Sequence, residues 1–174
     1  NTEILIILSF YKIIPEFFLK IAKHNLVVHE SNLPAGKGHS PLYWQILHGS
    51  TDIIFTLFEA SKKMDDGDYY FKKKIFFNKT LLYQEIKNLQ LKGALGLTLK
   101  FLKKYKANNL VKSYQQKGKS TYYEKRSENS SEIDLHKTLK SQINLLRISS
   151  NKYFPTFFYY KKKKYVINIT KSKI

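Results

Sequence analysis

Short apolar runs broken by polar turns fill the first half of the chain, and one long helical period follows them. Residues 4–8 are continuously apolar, the pattern of a strand buried on both faces of a parallel sheet. After a polar turn at 9–12, Pro15 opens a stripe of Phe17, Phe18, Ile21 and Ala22 that predicts a helix to about Lys23. Residues 26–29 predict a second strand. Pro34, Gly36, Gly38 and Pro41 make 31–41 a loop, and Gly49 stops a helix expected over 42–48. The run 53–59 predicts a third strand, and 61–68 a turn centred on Gly67. Residues 69–77 alternate loosely and predict an edge strand guarded by Lys72, Lys73 and Lys74. Thr80 is placed to cap a helix over 81–105, with Leu82, Ile86, Leu89, Ala94, Leu97 and Phe101 near helical spacing. Strands 4–8, 26–29 and 53–59 are expected to be parallel neighbours in one sheet.

The second half reads differently. Residues 106–120 are polar and predict a linker. A helix over 135–148 is expected next, then strands 157–160 and 165–169 around a lysine turn at 161–164. The division is therefore an α/β domain over 1–105, a linker over 106–120 and a small C-terminal α+β unit over 121–174. The opening apolar run is far shorter than the ~20 residues of a membrane span, and it lacks a basic leader or small-residue cleavage site. A chain that starts inside a buried strand is expected to be missing its front, with earlier strands upstream of Asn1.

Composition changes this picture in three ways. At 174 residues, with 43% apolar and 15% aromatic positions, a sizeable core can form and global disorder is excluded. A net charge of +18 points to a polyanion such as nucleic acid or a phosphorylated ligand. Yet Arg126 and Arg147 are the only arginines, whereas nucleic-acid readers favour the bidentate guanidinium. Lys, Asn, Ile, Phe and Tyr all have codons rich in A and T, so part of the charge reflects genome composition. With no cysteine, disulfide scaffolds, thiol catalysis and Cys-ligated metals are ruled out.

The chemistry concentrates between His29 and Asp68. His29 ends a strand and enters a Gly/Pro-rich loop, where ligands bind in open α/β sheets. An imidazole there either moves protons and stabilises an oxyanion, or merely hydrogen-bonds the loop. The run Gly36-Lys37-Gly38 lacks the spacing and the Ser/Thr of a phosphate loop. Asp65, Asp66 and Asp68 surround Gly67; their spacing does not fit a calcium loop, which leaves an imidazole-orienting carboxylate or a plain acidic turn. No metal is expected.

The run Asn25-Leu26-Val27-Val28-His29-Glu30-Ser31-Asn32-Leu33-Pro34-Ala35-Gly36-Lys37-Gly38-His39-Ser40-Pro41, followed by Asp65-Asp66-Gly67-Asp68, resembles the central motif of the folate-dependent formyltransferases. His-Glu-Ser and Gly-Lys-Gly-His-Ser-Pro are most similar to the amino-sugar branch. Tyr122-Tyr123-Glu124-Lys125-Arg126, Asn144-Leu145-Leu146-Arg147 and Phe154-Pro155-Thr156-Phe157 resemble the segment leading to that family's small C-terminal unit. The resemblance implies a three-layer Rossmann-like core, incomplete at its N-terminus. It implies N10-formyltetrahydrofolate as cofactor, and formyl transfer to the amine of a nucleotide-linked amino sugar in the cytoplasm. It implies His29 and Asp65 as catalytic residues. Where the family usually has Asn two residues before the His, this chain has Val27, so Asn25 is the substitute considered. Ser9, Phe10, Tyr11 and Ile13 are the expected folate contacts, and Lys37 and Gly38 the expected substrate contacts. Charged initiator tRNA is the competing acceptor. A non-catalytic relative and a basic nucleic-acid-binding protein, with aromatics among lysines over 153–165, are the other classes. No membrane partner is expected, and a homodimer is one assembly considered.

Overall fold

The computed structural model describes residues 2–8, 12, 14–108 and 110–172. The main sheet has four strands in the order β1 (Thr2–Ile7), β2 (Ala22–His29), β4 (Asp52–Glu59) and β5 (Tyr69–Phe76), with β3 (Lys37–Gly38) apart from it. The apolar runs form neighbouring strands, but β1 is at the edge of the described sheet and none of its residues is buried, so it is not the strand covered on both faces that its apolar run predicted. Their directions differ from expectation. β1 and β2 are parallel, but β4 runs antiparallel to β2, with Leu26 opposite Glu59 and His29 opposite Thr56. The intervening helix α2 (Pro41–Leu47) has seven residues. At 1.5 Å per residue it spans roughly 10 Å, against roughly 26 Å for an eight-residue strand, so the helix does not by itself return the chain to the strand's start. The chain turns at the sheet's end instead. β5 closes the edge antiparallel to β4, and Lys73 and Lys74 lie on it as expected.

The long helix α3 (Tyr83–Asn108) packs its Ile86, Leu97 and Phe101 into the main core with Leu26, Phe55, Leu57 and Phe77. Strand periodicity puts His24, Leu26 and Val28 on that face of β2 and leaves Asn25, Val27 and His29 on the other. Three local expectations are corrected. Helix α1 covers only Glu16–Leu19, and the chain is already extended at Ala22. The Asn25 amide donates to the Leu19 and Ala22 carbonyls, at 3.0 and 3.2 Å, which holds the helix end in a turn. Thr80 is not the cap of α3: its hydroxyl donates to Asn78, and the Glu85 carboxylate receives the Leu82 N–H. The stretch 135–148 is broken into turns, a 3₁₀ segment Lys140–Gln142 and a short α4 (Ile143–Arg147). Asp134, Thr138 and Gln142 side chains bond nearby backbone there and compete with a continuous helix.

The segment after α3 lies along the sheet. Val111 joins the main core, and Tyr114 pairs with Tyr69. β6 (Tyr122–Tyr123) pairs in parallel with β3. A smaller cluster of Ile133, Leu145 and Leu146 sits against the hairpin of β7 (Thr156–Tyr160) and β8 (Lys163–Ile167). The hairpin turn is Lys161-Lys162, both at positive φ, the geometry of a two-residue turn between twisted strands. Arg147 ties this part to the rest by donating to the Leu81 and Asn78 carbonyls.

Candidate active site

His29 is the last residue of β2, on the face away from α3, and is only 6% exposed. Its Nε2 lies 2.8 Å from the Gly36 carbonyl oxygen. A carbonyl only accepts, so Nε2 carries the proton. The same nitrogen is 3.8 Å from Asp65 Oδ2, so the two residues singled out from the motif do converge. Asp65 sits in the turn after β4 with φ of 51°, and its Oδ2 accepts from the Gly38 N–H at 2.8 Å. Its Oδ1 has no hydrogen-bond partner among the described residues.

The turn bearing Asp65 is seated by backbone. Gln116 donates to the Asp65 and Gly67 carbonyls at 3.0 and 2.7 Å. Gly67 must be glycine because a Cβ there would lie 1.7 Å from the Glu59 carbonyl oxygen. The His29 loop is buttressed from the other side. Lys37 and His39 donate their N–H groups to the Thr121 and Tyr123 carbonyls, and Gly36 N–H donates to the Thr121 hydroxyl. Gly38 has φ of 96°, and a Cβ on it would be 2.4 Å from the Tyr123 carbonyl oxygen. Lys72 donates to Asn32 Oδ1 and the Leu33 carbonyl, which fixes the start of the loop. Burial holds the Lys72 ammonium below its ordinary pKa.

A cleft of about 310 Å³ opens in front of His29 and Asp65. Ile7, Ile14, Val27 and Met64 give it an apolar wall; Gly38, Glu30 and Gln90 give it polar groups; Lys12, Lys63 and Lys87 give it cations. Among the other expected residues, Gly38 lies on the cleft and Lys37 does not. The Lys37 side chain is 2% exposed and ion-paired with Asp66, whose carboxyl it holds below the ordinary aspartate pKa. Its aliphatic stem fills the space behind the loop, so it is a strut and not a substrate contact. Asn25 is also not brought to the site: it is occupied with the α1 turn and stands roughly 13 Å along the strand from His29. Val27 takes the wall position instead. Ser9, Phe10, Tyr11 and Ile13 lie outside the described residues; Ile7, Lys12 and Ile14 around them border the cleft. The sequence reading missed Glu30, Tyr43, Lys63, Lys87 and Gln90, of which only Glu30 carried a signal, as the neighbour of His29 in the motif. Among the described residues no group of His, Asp and Glu could hold a metal, and no helix is long and apolar enough to cross a membrane.

A histidine and an aspartate meet near strand ends of this α/β fold, beside a half-apolar cleft. Residues 1–91 match the family described as Formyl transferase, and the chain belongs to that family. It is 30% identical over 127 residues to the methionyl-tRNA formyltransferase of Caldanaerobacter subterraneus subsp. tengcongensis, which covers 70% of this chain and 40% of that protein. The chain thus spans less than half the length of that relative. Solved structures share the fold. HypX from Aquifex aeolicus in complex with tetrahydrofolic acid has a TM-score of 0.75 at 19% identity, over 92% of this chain and 28% of that one. A sugar N-formyltransferase from a Shewanella species has a TM-score of 0.69 at 18% identity, over 99% and 71%.

Proposed function

We propose that this protein transfers a formyl group from N10-formyltetrahydrofolate to the amine of a nucleotide-linked amino sugar. The observation that carries the reading is the approach of His29 Nε2 to Asp65 at 3.8 Å on one cleft. Bound folate supplies the formyl carbon. The apolar wall of Ile7, Ile14, Val27 and Met64 suits a pterin ring, and the open backbone beside it suits a ring that needs donors and acceptors. The acceptor nitrogen gains the bond to carbon and loses a proton, and N10 loses that bond and gains a proton. Negative charge develops on the formyl oxygen in between. His29 turns its Nε2–H from the Gly36 carbonyl to that oxygen, with the Asp65 carboxylate beside the imidazole. Val27 offers no amide donor, so His29 is the sole donor from β2. Lys12, Lys63 and Lys87 border the cleft where the phosphates of a nucleotide-linked acceptor would be met.

Charged initiator tRNA is the second reading, favoured by the +18 charge and by the names of the relatives. The domain division at 105 and 121 and a homodimeric assembly belong to the same proposal. The test is release of tetrahydrofolate with amino-sugar nucleotides against charged initiator tRNA. Turnover with the sugars supports the reading; turnover with the tRNA alone transfers the assignment to the second.

A further inference from the structure

The cleft continues past His29 around the end of β2 to a carboxylate with an open oxygen. Glu30 follows His29 in the chain, so its side chain turns to the α3 face. There Gln90 Nε2 donates to Glu30 Oε1 at 2.6 Å, and Lys87 donates to Gln90 Oε1 at 3.1 Å. The Glu30 backbone carbonyl is held by Gln45 at 2.7 Å. One carboxylate oxygen is therefore fixed. The other, Oε2, has no hydrogen-bond partner, and Glu30 forms no ion pair among the described residues. That is unexpected in a chain with 31 basic and 13 acidic residues, where Lys87 borders the same cleft. The residue is half-buried, and its unpaired carboxylate oxygen beside a binding cleft is an acceptor open to a ligand.

Tyr43 lines the cleft beside it, and its hydroxyl is sealed from solvent. Burial, then Tyr83, then the Glu30 charge push its phenol well above the ordinary range, so it stays neutral and adds no competing charge.

We propose that Glu30 is the acceptor-reading residue of the cleft, whose free oxygen accepts hydrogen bonds from hydroxyl or amine donors flanking the reacting nitrogen. A sugar amine has hydroxyls on neighbouring carbons. An aminoacyl ester has a carbonyl and an apolar side chain there, and would leave the carboxylate unpaired. Such a site disfavours the acceptor that would cover the carboxylate without replacing its bonds to water. The inference rests on the reading that the cleft formylates an amine, and it narrows which amine.

The test is binding as well as turnover. By calorimetric titration the protein should bind UDP-glucosamine more tightly than methionine methyl ester. Glu30→Gln keeps the size and the bond to Gln90, and should weaken UDP-glucosamine roughly 10- to 100-fold. Tetrahydrofolate binding and the melting temperature should not change. Glu30→Ala should weaken the sugar nucleotide at least as much. With a turnover assay, the acceptor KM should rise while kcat moves little. Equal UDP-glucosamine affinity in Glu30→Gln and the natural protein, no binding of it at all, or tighter binding of the methionine ester would each overturn the proposal. Glu30-dependent sugar binding without any formyl transfer would sink the proposed activity and leave this site standing.

Discussion

Each end of β2 holds a histidine near a carboxylate, on opposite faces of the sheet. At the start of the strand His24 Nδ1 is 3.3 Å from Glu59 Oε2; at its end His29 Nε2 is 3.8 Å from Asp65 Oδ2. By distance the first pair is the better candidate for chemistry. Its surroundings say otherwise. His24 packs edge-on against Tyr70, Phe101 and Tyr105. Both Glu59 oxygens are taken, one by the Asn25 N–H and the other by the Tyr70 hydroxyl at 2.6 Å together with His24. The carboxylate there is spent on neighbours at both oxygens. At the other end Asp65 keeps an oxygen unpartnered among the described residues, and both residues border the cleft. Proximity makes a pair; unspent hydrogen-bonding capacity beside a cavity makes a site.

The largest expected effect would break that comparison if it failed. His29→Ala should lower turnover roughly 10²–10³-fold, the loss associated with one donor at a developing oxyanion. Tetrahydrofolate binding should be largely spared, because the imidazole acts on the transition state. His24→Ala should destabilise the fold and leave turnover of the folded protein near the natural value. Parallel steady-state assays and melting curves decide it: equal turnover losses in the two variants would show the two ends to be alike after all.

Gly67→Ala comes next. The added Cβ would press on the Glu59 carbonyl, which is backbone and cannot rotate away. A cost of about 1–3 kcal/mol, or more, is expected in denaturant unfolding. Because the displaced turn carries Asp65, turnover should fall as well. Glu59→Gln is smaller: weakened acceptors for the Asn25 N–H and the Tyr70 hydroxyl should cost about 1–2 kcal/mol of stability, with folate binding unchanged.

The comparison also shows what the sequence could carry. The apolar runs and the period of α3 are local patterns, and the four strands and the long helix follow them within a few residues. His29 and Asp65 were legible because each belongs to a strand-end motif. Strand direction was not, since an apolar run reads the same in both senses and the connection over 30–51 is long enough for either. Asn25 was put forward because residues 25, 27 and 29 share a face, but a shared face does not shorten the distance between them. Lys37 was put forward as a cation in the motif loop that could meet the phosphates of a nucleotide-linked sugar. Its burial depends on Asp66, 29 residues away, and on the β3–β6 pairing with Tyr122, 85 residues away. No local pattern carries that pairing.

The smallest effect sharpens the last point. Lys37→Met keeps the aliphatic stem in its buried place and removes the charge that faces Asp66. If Lys37 is a strut, the acceptor KM should not move; a rise would return it to the binding site. Its acid behaviour gives an independent reading. The hydrogen bond from Lys37, then its charge, hold the Asp66 carboxyl below its ordinary value of 3.8 in the folded protein. A lowered folded pKa contributes stability that is present above 3.8 and is lost as the pH falls through the folded value. Asp66 is partly exposed, so water screens the pair and its contribution stays below about 1 kcal/mol. In Lys37→Met the share due to Lys37 is absent at every pH, and only the weaker pull of Lys63 remains. Between pH 4 and lower values the natural protein should therefore lose stability more steeply than the variant, as measured by urea midpoints across that range. Two parallel curves would mean that Asp66 ionises without help from Lys37.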